Sequence, residues 1–339
     1  MARERLKTIV MTFAAGLAGA ALFHVAALPA PWLSGAMVGV VALIAFGARV
    51  DIPGPLCDLG LLLAGVAMGS AITPEMIQSM GRYPLSLLLL VLTVIGITLV
   101  GQTVLTRFFR WPADVALFGS LPGAMSAVLA TTAAAGIDMS RVAVVQSFRM
   151  FVLVAILPSL VTASVATGRP PVAAEISIIG FALVMALALV VALSFERWKV
   201  LAPFMFGGMA AGGITHATGA IPGAPPVFVV DLAMFLIGVF AGTRIAGITL
   251  AALRAMFLPA FVSFIATMIV TAIGAGLAIT LAGAAPAEAL IAFAPGGLEA
   301  MIVLGMALGL DPLYLSSHHV ARFVSIAFAL PILARRFVK

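Results

Sequence analysis

The sequence predicts an all-α integral membrane protein built from two tandem repeats. Hydrophobic residues fill 63% of its 339 positions and charged residues only 9%, whereas soluble domains carry about 25% charged residues. Apolar runs of roughly 20 residues, long enough for a helix to cross a bilayer, tile the chain with short gaps. Unusual residues also recur at one constant offset of 173 positions.

So large an apolar surplus cannot be hidden in a single soluble core, and the short gaps leave no room for a soluble domain of useful size. The single cysteine, Cys57, excludes an intrachain disulfide and any multi-cysteine metal site. The net charge of +6 does not indicate nucleic-acid binding, because the basic residues cluster at the ends of apolar segments, as membrane topology requires. The N-terminus has the charge pattern of a signal peptide. Its counterpart deeper in the chain argues instead for a first membrane helix that is retained.

Apolar segments are expected near 7–28, 32–48, 56–73, 83–106, 114–135 and 143–166, then near 174–195, 203–220, 227–247, 255–282, 287–309 and 316–334. Arg169-Pro170-Pro171 marks the seam, since two prolines cannot continue a helix. The repeats are therefore 1–168 and 169–339. At the offset of 173, Gly35 meets Gly208, Asp58 meets Asp231, Gly65 meets Gly238 and Gly69 meets Gly242. Pro122-Gly123 meets Pro295-Gly296, Gly136-Ile137-Asp138 meets Gly309-Leu310-Asp311, and Arg149 meets Arg322. Coincident Asp, Arg and Pro are hard to produce by chance, unlike matches of Ala or Leu.

The basic residues also orient the repeats. If all twelve segments cross and the N-terminus is cytoplasmic, ten Lys/Arg lie inside and six outside, with Arg149 and Arg322 within segments. If the fifth segment of each repeat instead enters and leaves on one side, fourteen lie inside and only Arg82 and Arg169 outside. The positive-inside rule favours the second arrangement. It gives about ten transmembrane helices plus two re-entrant or broken Pro-Gly helices, an inverted second repeat, and both termini in the cytoplasm. The breaks fall where backbone chemistry wants them, because proline removes a donor and glycine permits sharp turns.

Inverted repeats with matched broken helices are the signature of secondary transporters. The breaks expose unpaired backbone groups at membrane depth, where anions are attracted to helix N-termini. The substrate-binding candidates are therefore Pro122, Gly123, Ser126, Arg149, Pro295, Gly296, Gly297, Glu299 and Arg322. Each arginine has a structural alternative: pairing with Asp58, Asp231, Asp138 or Asp311, or bonding to helix-end carbonyls. Asp58, Asp231 and Glu299 are candidates for ion or proton coupling. For the two aspartates the alternative is favourable placement in a first helical turn. His318 and His319 read as packing residues, and an adjacent pair cannot face one metal from a helix. No metal constellation and no Walker-type loop is visible, so no cofactor is expected and neither an enzyme nor an ATP-driven pump is indicated.

The two Pro-Gly segments, each followed by Gly-x-Asp and an intramembrane arginine, resemble the AbrB-type duplicated membrane protein family. The stretches that carry the resemblance are Leu121-Pro122-Gly123-Ala124-Met125-Ser126 and Ala294-Pro295-Gly296-Gly297-Leu298-Glu299-Ala300-Met301. Ala124 replaces the second glycine of a Pro-Gly-Gly pattern in the first copy. The resemblance brings two labels, regulation of gene expression and ammonia monooxygenase, and the second finds no metal ligands here. The expectation is a multi-pass protein of the bacterial cytoplasmic (inner) membrane that moves a small metabolite such as an organic anion by alternating access. The alternative is a membrane-embedded sensor affecting gene expression through a partner or a substrate level. The expected partners are the lipid bilayer and a small-molecule substrate, not nucleic acid, and a homodimer is open.

Overall fold

A computed structural model describes residues 2–28, 30–70, 72, 81, 83–123, 128, 129, 131, 132, 135–164, 175–200, 202–221, 223–244, 246 and 250–335. Side chains are described at these positions except 2, 162–164, 250, 252, 253, 299, 327, 331, 334 and 335. Ser126, the side chain of Glu299 and the seam Arg169-Pro170-Pro171 lie outside the described residues.

The architecture is all-helical. In chain order the helices are α1 (Ala2–Val25), a π-helical turn (Pro31–Gly35) running into α2 (Ala36–Ala45), α3 (Gly54–Gly69), α4 (Tyr83–Arg107), α5 (Ala113–Ser120) and α6 (Met139–Ser164). They continue with α7 (Ile178–Arg197), α8 (Pro203–Ala217), α9 (Val227–Thr243), α10 (Leu250–Ala282), α11 (Pro286–Phe293), α12 (Leu298–Ala307) and α13 (Pro312–Arg335). Among the described residues, extended pairing is limited to an isolated bridge between Glu175 and Ala224.

Five helices are long and apolar enough to cross a membrane among the described residues: Arg3–Val25, Tyr83–Arg107, Met139–Val161, Ile178–Arg197 and Arg254–Ala282. The segments Pro31–Ala45, Gly54–Gly69 and Val227–Thr243 are apolar but shorter. At 1.5 Å per residue, the 25 residues of α4 reach about 37 Å, a full bilayer core, whereas the eight of α5 reach about 12 Å. Large apolar side chains stay on the outside of the long helices. Ile178, Ile179, Leu183 and Val190 on α7 are all exposed, a surface suited to lipid rather than water.

Element boundaries follow the sequence offset. α3 begins at Gly54 and α9 at Val227, 173 positions later. α5 and α11 match at both ends by the same offset, as do the starts of α6 and α13. Prolines set several of these starts, Pro203, Pro286 and Pro312 each standing at the first helical position, where a missing N–H costs nothing.

The chain divides into two compact units that do not follow the two halves of the sequence. Unit 1 comprises 1–80, 158–246 and 302–313; unit 2 comprises 81–157, 247–301 and 314–339. Within unit 1, α8 packs against α3 and α7, and α9 packs against α2 and α3. The α3–α8 contact is backbone on backbone. A Cβ on Gly65 would lie 2.1 Å from the Met205 carbonyl oxygen, and one on Gly208 would lie 2.5 Å from that of Leu62. Within unit 2, α4 packs along α10, while α5 lies on α4 and α11 on α10. A buried apolar cluster of Val115, Phe118, Leu121, Val142, Ile326 and their neighbours holds α5 against α6 and α13.

Around α5, the two chain segments that flank the first Pro-Gly break meet. The Arg141 guanidinium sits over the Trp111 ring, 5.5 Å from its centroid. Trp111 precedes α5 and Arg141 belongs to the first turn of α6, so the chain comes back to the place from which it set out.

Candidate functional site

The site lies in unit 2 and begins with the two short half-helices. α5 ends at Ser120 and α11 at Phe293, each followed by an extended residue, Leu121 or Ala294, and then by Pro122 or Pro295. A helix that stops at a proline leaves its last carbonyls without intrahelical donors, and at membrane depth no solvent can replace them. Two buried arginines supply the donors.

Arg149 on α6 donates to the carbonyls of Ser120 at 3.4 Å and Leu121 at 2.8 Å. One turn earlier, Gln146 Nε2 donates to the Phe118 carbonyl at 2.9 Å. Arg322 on α13 donates to the carbonyl of Ala294 and, at 3.0 Å, to that of Gly296. Each arginine thus places a cation at the negative end of a half-helix, where the dipole favours it. Of the structural alternatives raised by the sequence, helix-end carbonyls are the partners found and the aspartates are not.

The aspartates have other work. Asp138 accepts from the backbone N–H groups of Ser140 (3.1 Å) and Arg141 (3.3 Å) and bridges to the Arg141 side chain at 3.2 Å. Asp311 accepts from Leu313 N–H at 2.8 Å. Both are therefore caps for the helices that carry the arginines. The preceding glycines, Gly136 (φ +68°) and Gly309 (φ +69°), make the left-handed turns that let those helices start. The Gly-x-Asp motif is a turn and a cap. Asp58 and Asp231 lie in unit 1, one turn inside α3 and α9 rather than in their first turns, because each helix starts earlier, right after a proline. Asp58 lines a cavity of about 510 Å³ with Asp51, Cys57, Phe240 and Thr243.

The breaks and the arginines come together crosswise. Arg322 bonds the second break yet faces the first: a Cβ on Gly123 would lie 3.4 Å from Arg322 Nε. A Cβ on Gly297, in the second break, would lie 3.3 Å from the sulfur of Met150, the residue next to Arg149. Gly123 has φ +106°, a conformation that favours glycine. Pro122, Gly123, Arg149, Pro295, Gly296, Gly297 and Arg322 thus form one neighbourhood.

Sequence reasoning missed His319. It is 1% exposed, and its Nδ1 lies 2.9 Å from an Arg322 terminal nitrogen. The available signal was the repeated spacing, Gln146-x-x-Arg149 against His319-x-x-Arg322, which puts both polar partners on the arginine face of their helices. His318 points elsewhere, with Nε2 2.8 Å from Ser86 Oγ and Nδ1 2.8 Å from the Tyr314 carbonyl. The adjacent histidines therefore have separate environments: His318 packs against the ring of Tyr314, centroids 4.0 Å apart, whereas His319 faces Arg322.

The electrostatics are uneven. Arg149 and Arg322 are 4% and 2% exposed. The ion pairs Arg5–Asp51 and Arg141–Asp138 lie elsewhere, and neither buried guanidinium has a carboxylate partner among the described residues. Arg149 Nε, Ser147 Oγ, Gln146 Oε1 and His319 Nε2 are buried with no hydrogen-bond partner. No group of three or more His, Cys, Asp or Glu residues suited to a metal ion occurs among the described residues.

Apolar helices with lipid-suited surfaces and a buried arginine cluster at two helix breaks define an all-helical protein of membrane type. Its sequence matches over residues 32–338 the family described as transition state regulatory protein AbrB, and the chain belongs to that family. A relative in Bacillus subtilis (strain 168), described as uncharacterized protein YhjN, is 22% identical over 292 residues, covering 80% of this chain and 76% of that protein.

Proposed function

We propose that the chain is a secondary transporter of the bacterial cytoplasmic membrane, moving a small organic anion by alternating access. The observation that carries this reading is the Arg149–Arg322 pair. Two buried cations without a carboxylate partner among the described residues are costly in a low dielectric. An arriving anion would offset that cost, and guanidinium groups are the side chains best shaped for carboxylates.

The inverted-repeat topology is part of the same proposal. The Trp111–Arg141 contact supports a first broken segment that enters and leaves on one side, hence five crossings per repeat. The matched element boundaries support two copies of one unit. Inverted copies can exchange conformations of similar energy, which alternating access requires. The termini are then cytoplasmic, the bilayer and the substrate are the partners, and the chain acts without catalysis or a cofactor. Among the coupling candidates, Asp58, Asp231 and Glu299, the last follows the second break directly in sequence.

The family description favours a second reading, a membrane sensor that influences gene expression. A transporter that sets the level of a regulatory metabolite accounts for that description without a separate output surface.

The test is uptake by purified protein in liposomes under an imposed proton or sodium gradient. Accumulation of labelled organic anions, lost in Arg149 and Arg322 variants, is expected. Folded protein that moves none of a broad anion panel overturns the proposal.

A further inference from the structure

The geometry points to His319 as a direct anion contact, a neutral imidazole that donates its Nε2–H to an oxygen of a bound small carboxylate. This rests on the anion reading above and adds to it a residue and the form in which that residue acts.

Arginine has donors and no acceptor. The 2.9 Å contact between an Arg322 terminal nitrogen and His319 Nδ1 therefore requires a lone pair on Nδ1. The ring proton must then sit on Nε2, which makes His319 the neutral Nε2–H tautomer, fixed by the bond at its other nitrogen. That Nε2–H is buried and has no partner among the described residues, in a residue that is only 1% exposed.

A buried donor left without a hydrogen bond is costly, so such a donor needs a reason. Among the described residues the cluster's other unpartnered donors are Arg149 Nε and Ser147 Oγ. The guanidinium of Arg322 bonds His319 and lies beside Gly123 of the first break, where an added Cβ would stand 3.4 Å from its Nε. Donors around two cations that have no carboxylate partner among the described residues select an acceptor-only ligand with negative charge. A carboxylate has this character, with two oxygens and about four lone-pair sites.

The repeat supplies an internal control. Gln146 holds the position equivalent to His319, one turn before its own arginine, and spends its donor on the Phe118 carbonyl. The two copies therefore differ in hydrogen-bond polarity: the second retains a free N–H where the first retains a free carbonyl oxygen. His319 makes the site asymmetric.

The test uses full-length protein in nanodiscs at pH 7 with acetate and succinate as probes, comparing wild type, H319Q and H319L. Glutamine can accept from Arg322 and still donate, while leucine can do neither. Nitrogen-15 spectra of histidine-labelled wild type should show His319 as the Nε2–H tautomer, assigned by its loss in H319Q. Either probe should move that N–H proton downfield. Thermal stabilisation by the anion should persist in H319Q and fall at least tenfold in apparent affinity in H319L. An Nδ1–H or doubly protonated ring overturns the inference. So does equal anion stabilisation in wild type and H319L with the Nε2–H unmoved, which leaves the anion reading intact. Absence of any response in wild type, across both probes, overturns the anion reading and the inference together.

Discussion

Gly123 and Arg322, from opposite halves of the sequence, face each other: a Cβ on Gly123 would lie 3.4 Å from Arg322 Nε, while the Arg322 terminal nitrogens bond the carbonyls of Ala294 and Gly296. One side chain thus ties the second break to the first. A glycine is favoured at 123 by its φ of +106°.

Gly123→Ala should therefore harm both stability and uptake. The backbone conformation costs about 1–3 kcal/mol for a residue with a Cβ, and the strain falls beside the Arg322 guanidinium. Gly297→Ala should be milder, because its neighbour is the flexible end of Met150. Thermal unfolding and liposome uptake of the two variants side by side check this order. A Gly123→Ala protein equal to wild type in both would contradict it.

Arginine truncation should separate structure from transport. Arg149→Leu orphans the carbonyl of Leu121, which it bonds at 2.8 Å, at a cost of about 1–3 kcal/mol. Arg149→Lys keeps a charge and a single donor head but loses the fork. The expected result is a lower melting temperature and no uptake for leucine, and a nearly normal melting temperature with at least tenfold weaker apparent affinity for lysine. Uptake by the leucine variant at the wild-type rate would remove Arg149 from the site.

Cysteine labelling addresses the first broken segment. In a Cys57→Ala background, Trp111→Cys and Arg141→Cys should label from the same, cytoplasmic face, since the two side chains touch. A cysteine at position 169 should label from the other face. Opposite labelling of 111 and 141 would restore twelve plain crossings.

Glycine substitutions should also rank by their surroundings. Gly65→Ala puts a methyl 2.1 Å from the backbone of Met205, which cannot move aside as a side-chain end can, so about 1–3 kcal/mol of destabilisation is expected. Gly276→Ala meets nothing within 4 Å inside α10 and should stabilise by about 0.5–1 kcal/mol. Melting temperatures of both variants in one detergent decide this; a neutral Gly65→Ala would mean that α3 and α8 pack less closely.

The sequence by itself determined the membrane class, the offset of 173 and the places where the helices break. These are local properties: hydropathy depends on composition, and Pro122 or Pro295 interrupts a helix whatever surrounds it. It also marked Arg149 and Arg322, because charge inside an apolar run is conspicuous. Their partners were decided by tertiary structure. Asp138 and Asp311 were as plausible on charge alone, and only packing of α6 on α5 and of α13 on α11 brought the guanidinium groups to orphaned carbonyls. His319 was illegible for the same reason. Its role follows from the Arg322 nitrogen 2.9 Å away from its Nδ1, and a proton's place on an imidazole ring is set by its neighbour in space.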